Sequence, residues 1–292
     1  MIHLTTSRGG DSIWVDTPLA RCEIALLGAQ VLSYLPKAHG RDLLWCSDGP
    51  LAPHQPPHGG IPLCWPWFAK QDRPPEAVQH GFARLRGWRL QASSESPEGE
   101  AELLLTLNPK ASDLRADDWP PDCEPSVRVR IGTSLEIRLR TENRSTQTLS
   151  LTQALHTYLR VGDVRAVRVE GLQGLRYLDK LRDFEAYVQN EPWRFETACD
   201  RIYQGSGPLH RLDDPVLGRS LVLASTGSAS TVVWNPGAVG VEALQDVAPA
   251  DWPGFLCIET ANCAPADRVS LPPGASTELR LQLFAQPSHP PA

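Results

Sequence analysis

Two side chains in this sequence, Glu259 and His156, combine proton-transfer chemistry with surroundings that would give it a place to act. Glu259 follows Phe255-Leu256-Cys257-Ile258 and precedes Thr260-Ala261-Asn262. A carboxylate closing an apolar run either meets nearby donors at a sheet edge or stands in a cleft with a raised pKa. In the second setting it can serve as a general base near neutral pH. His156 lies in the alternating run 148–158, with Leu149, Leu151, Gln153 and Leu155 on one face of an expected strand. Thr148, Ser150, Thr152, Ala154, His156 and Tyr158 take the other face. A small, polar face suits a groove floor, where an imidazole would give or take a proton. The plainer alternatives are a structural glutamate and a satisfied structural histidine. His54 and His58 are four apart, but Pro56 and Pro57 intervene, so they share no helix face and no metal site is expected. The sequence contains no GxSxG, GxGxxG or Walker-type loop, so neither a nucleophile motif nor a nucleotide cofactor is indicated.

The stretch 58–88, HGGIPLCWPWFAKQDRPPEAVQHGFARLRGW, is the densest in unusual residues. Its prolines and glycines argue against a regular helix or a central strand. Its tryptophans argue against a disordered linker. It reads as a rigid, irregular cleft wall, or as a loop packed on a core by its aromatic rings. Trp65 and Trp67 could stack on a sugar ring or simply fill the core.

The rest of the chain must supply the scaffold, and its pattern is β throughout. Short apolar segments with Gly or Pro turns open it: Ile13 to Val15, Arg21 to Leu27, Val31 to Leu35 and Leu43 to Trp45. Trp88 to Ala92 and Glu102 to Leu107 follow, and Asn108 to Pro125 reads as a polar loop with one short helical turn. The clearest alternation sets Val127, Val129 and Ile131 against Arg128 and Arg130. After Gly132-Thr133-Ser134 it resumes as Leu135, Ile137 and Leu139 against Glu136, Arg138 and Arg140. A period of two on both sides of a Gly-containing turn predicts a hairpin. Asp183 to Asn190 fits a short helix or a strand. Ser220 to Ala224, Thr231 to Trp234, Gly254 to Glu259 and Thr277 to Phe284 complete the strands. No linker-like shift, internal repeat or sustained helical period appears. The expectation is one antiparallel all-β domain of sandwich type over residues 1–286, with a frayed Pro-rich tail over 287–292.

Composition excludes several function classes. The 292 residues carry a net charge of −6 and no long basic block, which disfavours a nucleic-acid surface. Hydrophobic residues make up 41% and charged residues 21%, a globular balance. Seven cysteines without a CxxC suggest reduced thiols, as in the cytoplasm, rather than disulfides or a zinc site. No signal pattern opens the chain and no apolar run approaches a membrane span. A soluble, cytoplasmic monomer is expected.

Several motifs, taken together and in order, carry a resemblance: GGIP and CWPWF, then QHGFAR, ALHTY, DKxxDF, DRIY, VVWNP and CIET. The sequence resembles the aldose 1-epimerase superfamily, in its hexose-6-phosphate mutarotase (glucose-6-phosphate 1-epimerase-like) branch, from about Gly59 to Asn262. The resemblance implies a large antiparallel β supersandwich, and an enzyme that interconverts the α and β anomers of a sugar or sugar phosphate without a cofactor. By it, His156 falls on the catalytic histidine that protonates the ring oxygen, and Glu259 on the glutamate that takes the C1 hydroxyl proton. Gln79 and Arg84 match substrate-contacting positions, Asp200 matches one that bonds sugar hydroxyls, and His80 is a cleft residue. The family usually has Arg before Gly-Gly-Ile-Pro, at the substrate's anionic end. Here that residue is His58, which lacks the fixed charge of a guanidinium. Arg84 remains, with Lys70, Arg73 and Arg86 as cations that would compensate. A free or differently charged aldose, and a non-catalytic sugar-binding protein, are the alternatives.

Overall fold

The structure is a computed structural model that describes residues 1–8, 10–52, 54–69, 77–107, 119–120 and 122–287. Among them, antiparallel sheets dominate and helix is confined to single turns. A nine-stranded sheet runs Trp193–Arg194, Arg168–Glu170, Leu209–Asp214, Arg219–Thr226, Ser276–Pro287, Leu135–Glu142, Pro125–Ile131, Ala101–Leu107 and Trp88–Glu95. An eight-stranded sheet has Phe255–Asn262 near its middle, between Ser230–Asn235 on one side and both Gln153–Leu155 and Tyr158–Arg160 on the other. A four-stranded meander, Ile2–Ser7 through Gln30–Pro36, covers the remaining side of the core. This is the antiparallel all-β architecture that the alternation pattern predicts, and it agrees with the β supersandwich that the resemblance implies.

The physical basis is period-two burial. In the predicted hairpin, Pro125–Ile131 pairs with Leu135–Glu142, and Val127, Val129, Ile131, Leu135, Ile137 and Leu139 are all buried in one core. That core also takes Leu103 and Leu105, Ile13 and Ile24, and Leu256 and Ile258, so three sheets share it. The arginines of the outer face pair across strands, Arg128 with Glu102 and Arg130 with Glu100. Exposed pairs of this kind contribute little stability.

Several elements differ from expectation. Leu43 to Trp45 is not a strand; it forms no ladder, only an isolated bridge of Leu44 with Leu159, with Cys46 bridging Gly59 beside it. Residues 148–158 do not form one strand. Leu149–Leu151 pairs with Val269–Leu271 in a separate ribbon, and the chain changes sheets at Thr152. There the Thr152 backbone N–H donates to the Pro66 carbonyl at 3.3 Å, and its hydroxyl accepts the Phe68 N–H at 2.8 Å. Those loop contacts divert the strand, and no sequence pattern reports them. The ambiguous segment after Asp183 contains the strand Glu185–Val188. Pro287 is not frayed; it pairs with Arg219. The rest of the expected tail lies outside the described residues, as does most of the expected loop Asn108 to Pro125; its described residues, 119–120 and 122–125, contain no helical turn, and Pro125 opens a strand.

Candidate active site

The eight-stranded sheet has two unlike faces. Leu256 and Ile258 point into the main core, so Cys257, Glu259 and Ala261 point to the opposite face. That face carries two small apolar clusters. One contains Cys64, Ala154, Ile202, Val232 and Ala261; the other contains Trp45, Tyr158, Val247 and Cys257. Glu259 stands between them with its side chain 1% exposed.

Register assembles the site. Val232 pairs with Glu259, Asp200 with Trp234, and Trp234 with Cys257, so Asp200 and Glu259 share one face two strands apart. Leu155 pairs with Thr260 and Tyr158 with Cys257, which sets His156 opposite Glu259. The distance from His156 Nε2 to Glu259 Oε1 is 3.4 Å. The GGIP segment runs along the other side of this strand. The backbone N–H of His156 donates to Pro62 O at 3.0 Å, and that of Tyr158 to Gly60 O at 2.9 Å. His156 is walled by aromatic rings: Tyr158 stacks on it at 4.9 Å, and Trp234 and His80 meet it edge-on at 5.8 Å.

Two tight turns bring in the remaining groups. In QHGFAR, His80 and Gly81 both take left-handed conformations, at φ 65° and 72°. His80 Nδ1 accepts the Ala69 N–H at 3.3 Å, and the Gln79 amide lies 3.1 Å from His80 Nε2. The Arg84 guanidinium folds back to donate to Gln79 O at 3.2 and 3.3 Å. In DKLRDF, the strand Arg176–Asp179 ends in a turn capped by the Asp179 carboxylate, which accepts the Leu181 N–H at 3.0 Å. Lys180 then reaches Asp200, Nζ to Oδ2 at 2.6 Å.

The seven residues singled out in the sequence therefore converge. His156, Glu259, His80 and Asp200 surround one corner, Gln79 and Arg84 flank His80, and His58 acts electrostatically on both His80 and His156. Sequence reasoning missed Lys180 and Asp246. Lys180 lies inside a quoted motif, and its proximity to Asp200 follows only from strand pairing. Asp246 holds His58 from 188 residues away. Trp65 and Trp67 are core residues: the Trp65 indole donates to Thr141 at 2.9 Å and that of Trp67 to Val78 O at 2.8 Å. Arg86 is buried against Glu124 at 3.2 Å and does not line this corner. Lys70 and Arg73 lie outside the described residues. Among those described, no group of His, Cys, Asp and Glu could hold a metal ion.

Electrostatics at the site follow from burial. Desolvation is the largest influence on both members of the pair. It pushes the His156 pKa well below the usual histidine range, and the charges of His80, Lys180 and His58 act in the same direction. It pushes Glu259 well above the carboxylate range; the nearby Asp200 adds to this and Lys180 opposes it. Both shifts favour the neutral forms of the two groups, the imidazole and the carboxylic acid. Burial likewise raises Asp200 against the pull of Lys180, and lowers His80 to about 3. Three polar atoms here, His156 Nδ1, Glu259 Oε2 and Asp200 Oδ1, are buried without a hydrogen-bond partner among the described residues. Such atoms are costly in an empty site and suit a ligand rich in hydroxyls.

A stability prediction follows from the Glu259 shift. A carboxyl whose folded pKa is raised contributes no penalty below its unfolded value, near 4.5, and destabilises the fold as pH rises towards the folded value. Glu259→Gln removes that dependence. The variant should melt above the wild type at pH 7–8, by about 2–4 °C per kcal/mol relieved, and the difference should vanish near pH 4. Thermal melts across pH check this; equal melting temperatures at pH 8 would mean that the carboxyl is not strained by burial.

Comparison with known proteins is consistent over most of the length. The family model described as Aldose 1-epimerase matches residues 11–283. Proteins of Escherichia coli K12 and Cenchrus ciliaris, both bearing the name "Putative glucose-6-phosphate 1-epimerase", are 33% and 34% identical to this chain. The matches cover 89% of this chain and 86% of the first protein, and 91% and 82% for the second. A crystal structure of a Salmonella typhimurium protein, described as a putative mutarotase, superposes with a TM-score of 0.89 at 28% identity, covering 98% of this chain and 94% of that one. A galactose mutarotase-like protein of Clostridium acetobutylicum shares the fold at a TM-score of 0.70 and 14% identity, over 99% of both chains.

Proposed function

This chain belongs to the aldose 1-epimerase family of isomerases, and from that premise we propose that it interconverts the α and β anomers of a hexose 6-phosphate, with His156 and Glu259 as its acid and base. The observation that carries the reading is their placement, opposite one another across two paired strands at 3.4 Å, with partnerless polar atoms on both. Anomer exchange needs two groups that act at once on neighbouring oxygens.

In ring opening, the Glu259 carboxylate takes the C1 hydroxyl proton while the His156 imidazolium protonates the ring oxygen. The bond between C1 and the ring oxygen breaks and the open-chain aldehyde forms. After rotation about C1–C2, the C5 hydroxyl returns its proton to His156, the protonated Glu259 gives its proton to the carbonyl oxygen, and the ring closes on the other face. The pair carries a single proton throughout, so no water or cofactor is consumed. Opening uses the charged tautomer of the pair and closure the neutral one. Burial favours the neutral tautomer in the empty site. Asp200, with its unpartnered oxygen, accepts a sugar hydroxyl, while Gln79, His80 and Arg84 form the binding rim.

Two-dimensional exchange NMR on equilibrated glucose 6-phosphate should show α–β exchange many-fold faster with the protein than without it. No acceleration for any hexose or hexose phosphate would sink the reading. A free aldose is the second reading, favoured by the engagement of His58 with Asp246 where a fixed cation would otherwise serve. Faster exchange of glucose than of glucose 6-phosphate would select it.

A further inference from the structure

Lys180 opens a turn that leaves its backbone little freedom. The strand Arg176–Asp179 pairs with Cys199–Gln204 through Tyr177–Tyr203, Leu178–Ile202 and Asp179–Arg201, which sets Lys180 beside Asp200. Asp179 caps the turn, accepting the Leu181 N–H on its carboxylate at 3.0 Å and the Phe184 N–H on its carbonyl at 2.9 Å. Asp183 and Phe184 close it in left-handed conformations, at φ 49° and 61°. From this anchor the Lys180 side chain runs inward and is only 19% exposed. Its Nζ lies 2.6 Å from Asp200 Oδ2 and 5.9 Å from the centre of the Phe68 ring. Phe68 is itself fixed, since its N–H donates to the Thr152 hydroxyl at 2.8 Å.

Asp200 is thereby held by one oxygen alone. Oδ2 has the ammonium, and Oδ1 is buried without a hydrogen-bond partner among the described residues. A buried carboxylate that only ties two elements together has both oxygens satisfied as a rule. One oxygen held and one left open, on the sheet face that carries Glu259, is the arrangement of an acceptor kept for a ligand. The charge on Asp200 also depends on its neighbour. Burial pushes the Asp200 pKa up; Lys180 opposes this and Asp179 adds to it. Without the ammonium, burial and Asp179 both favour the carboxylic acid, which offers a proton where a carboxylate accepts one.

We propose that Lys180 is a positioning residue for sugar recognition: by occupying Oδ2 of Asp200 it keeps Oδ1 as a fixed acceptor for one ring hydroxyl, so that the enzyme selects sugars that carry this hydroxyl. Lys180 acts through Asp200 and not on the reacting atoms. The inference rests on the mutarotase reading.

The test follows anomer exchange of glucose and its 2-, 3- and 4-deoxy analogues, as free sugars or as 6-phosphates, whichever the wild type exchanges faster. In the wild type one deoxy analogue should show a kcat/KM lower by about 10–100-fold, the scale of a hydrogen bond to a charged group. Asp200→Ala, Lys180→Met and Lys180→Gln should each lose most of that discrimination, and for the same hydroxyl. Lys180→Arg, which returns a cation to Oδ2, should keep most of it. The Lys180→Met/Asp200→Ala double variant should discriminate no less than Asp200→Ala, because one acceptor has been removed by two routes. Lys180 also favours the ionised form of Glu259, so its loss slows every sugar. The ratio between sugars cancels that common factor, and cancels any loss from a loosened fold, which is what a purely structural ion pair would give. Lys180→Met and Lys180→Gln proteins with wild-type discrimination overturn the inference. So does a loss at a different hydroxyl from that of Asp200→Ala, or a wild type indifferent to all three hydroxyls. The mutarotase reading survives each of these results, whereas failure to accelerate any sugar removes both.

Discussion

In His156→Ala, the acceleration of anomer exchange should fall by about 10²–10⁴, and in Glu259→Gln by a similar factor, the range of a positioned acid or base. The size of the effect follows from geometry. His156 and Glu259 sit opposite one another on the same sheet face, and burial gives each the same preference for its neutral form. Neither step of the exchange completes with one of them, because a proton must leave one oxygen as another reaches its neighbour. The double variant should therefore be little slower than either single variant, since the two act as one unit. Exchange NMR on the purified variants decides the matter; a Glu259→Gln protein as fast as the wild type would remove the carboxylate from the chemistry.

The largest expected effect on the fold comes from Gly81→Ala. At φ +72° an alanine is already strained, and its Cβ would fall 2.0 Å from the Trp65 carbonyl oxygen and 2.3 Å from its carbon. Backbone is the obstacle, so no side-chain rotation relieves it. The same carbonyl accepts the Ala83 N–H at 3.2 Å, and the Trp65 N–H donates to His80 O at 3.2 Å, so the turn cannot retreat without breaking both. A loss of about 3–5 kcal/mol is expected, read as a lower urea midpoint. Gly10→Ala is the control for positive φ alone, since none of the described residues lies within 4 Å of the added Cβ. Equal losses in the two variants would show that close approach is not the cause at Gly81.

Local pattern carried most of the scaffold and little of the assembly. The hairpin 125–142 is legible because its alternation is complete on both strands, and the strand Phe255–Asn262 because its apolar start is unbroken. Leu43 to Trp45 looks equally apolar, yet its backbone hydrogen bonds to Tyr34, Tyr158, Arg160 and Gly60 form no continuous ladder, and nothing within those three residues distinguishes the two cases. The break at Thr152 comes from Pro66 and Phe68, distant in sequence. At the site, Glu259 and His156 are visible through residue type and motif. That they face one another is a property of register, set by pairings between residues about a hundred apart. Lys180 shows the same limit. Its motif reads as a charged turn, and only the Tyr177–Tyr203 and Leu178–Ile202 pairings bring it to Asp200.

The strand Ser276–Pro287 is C-terminal to every other described strand, yet it lies mid-sheet, hydrogen-bonded to Arg219–Thr226 on one side and Leu135–Glu142 on the other. A ribosome delivers it after both partners. Until it emerges, the nascent chain holds two half-sheets whose facing edges are long, apolar on the inner side and unpaired, the kind of edge that invites pairing between chains. Neither half can be joined to the other early. This sheet is completed only by that late strand, and the interval before it is when the chain most needs protection from its own copies.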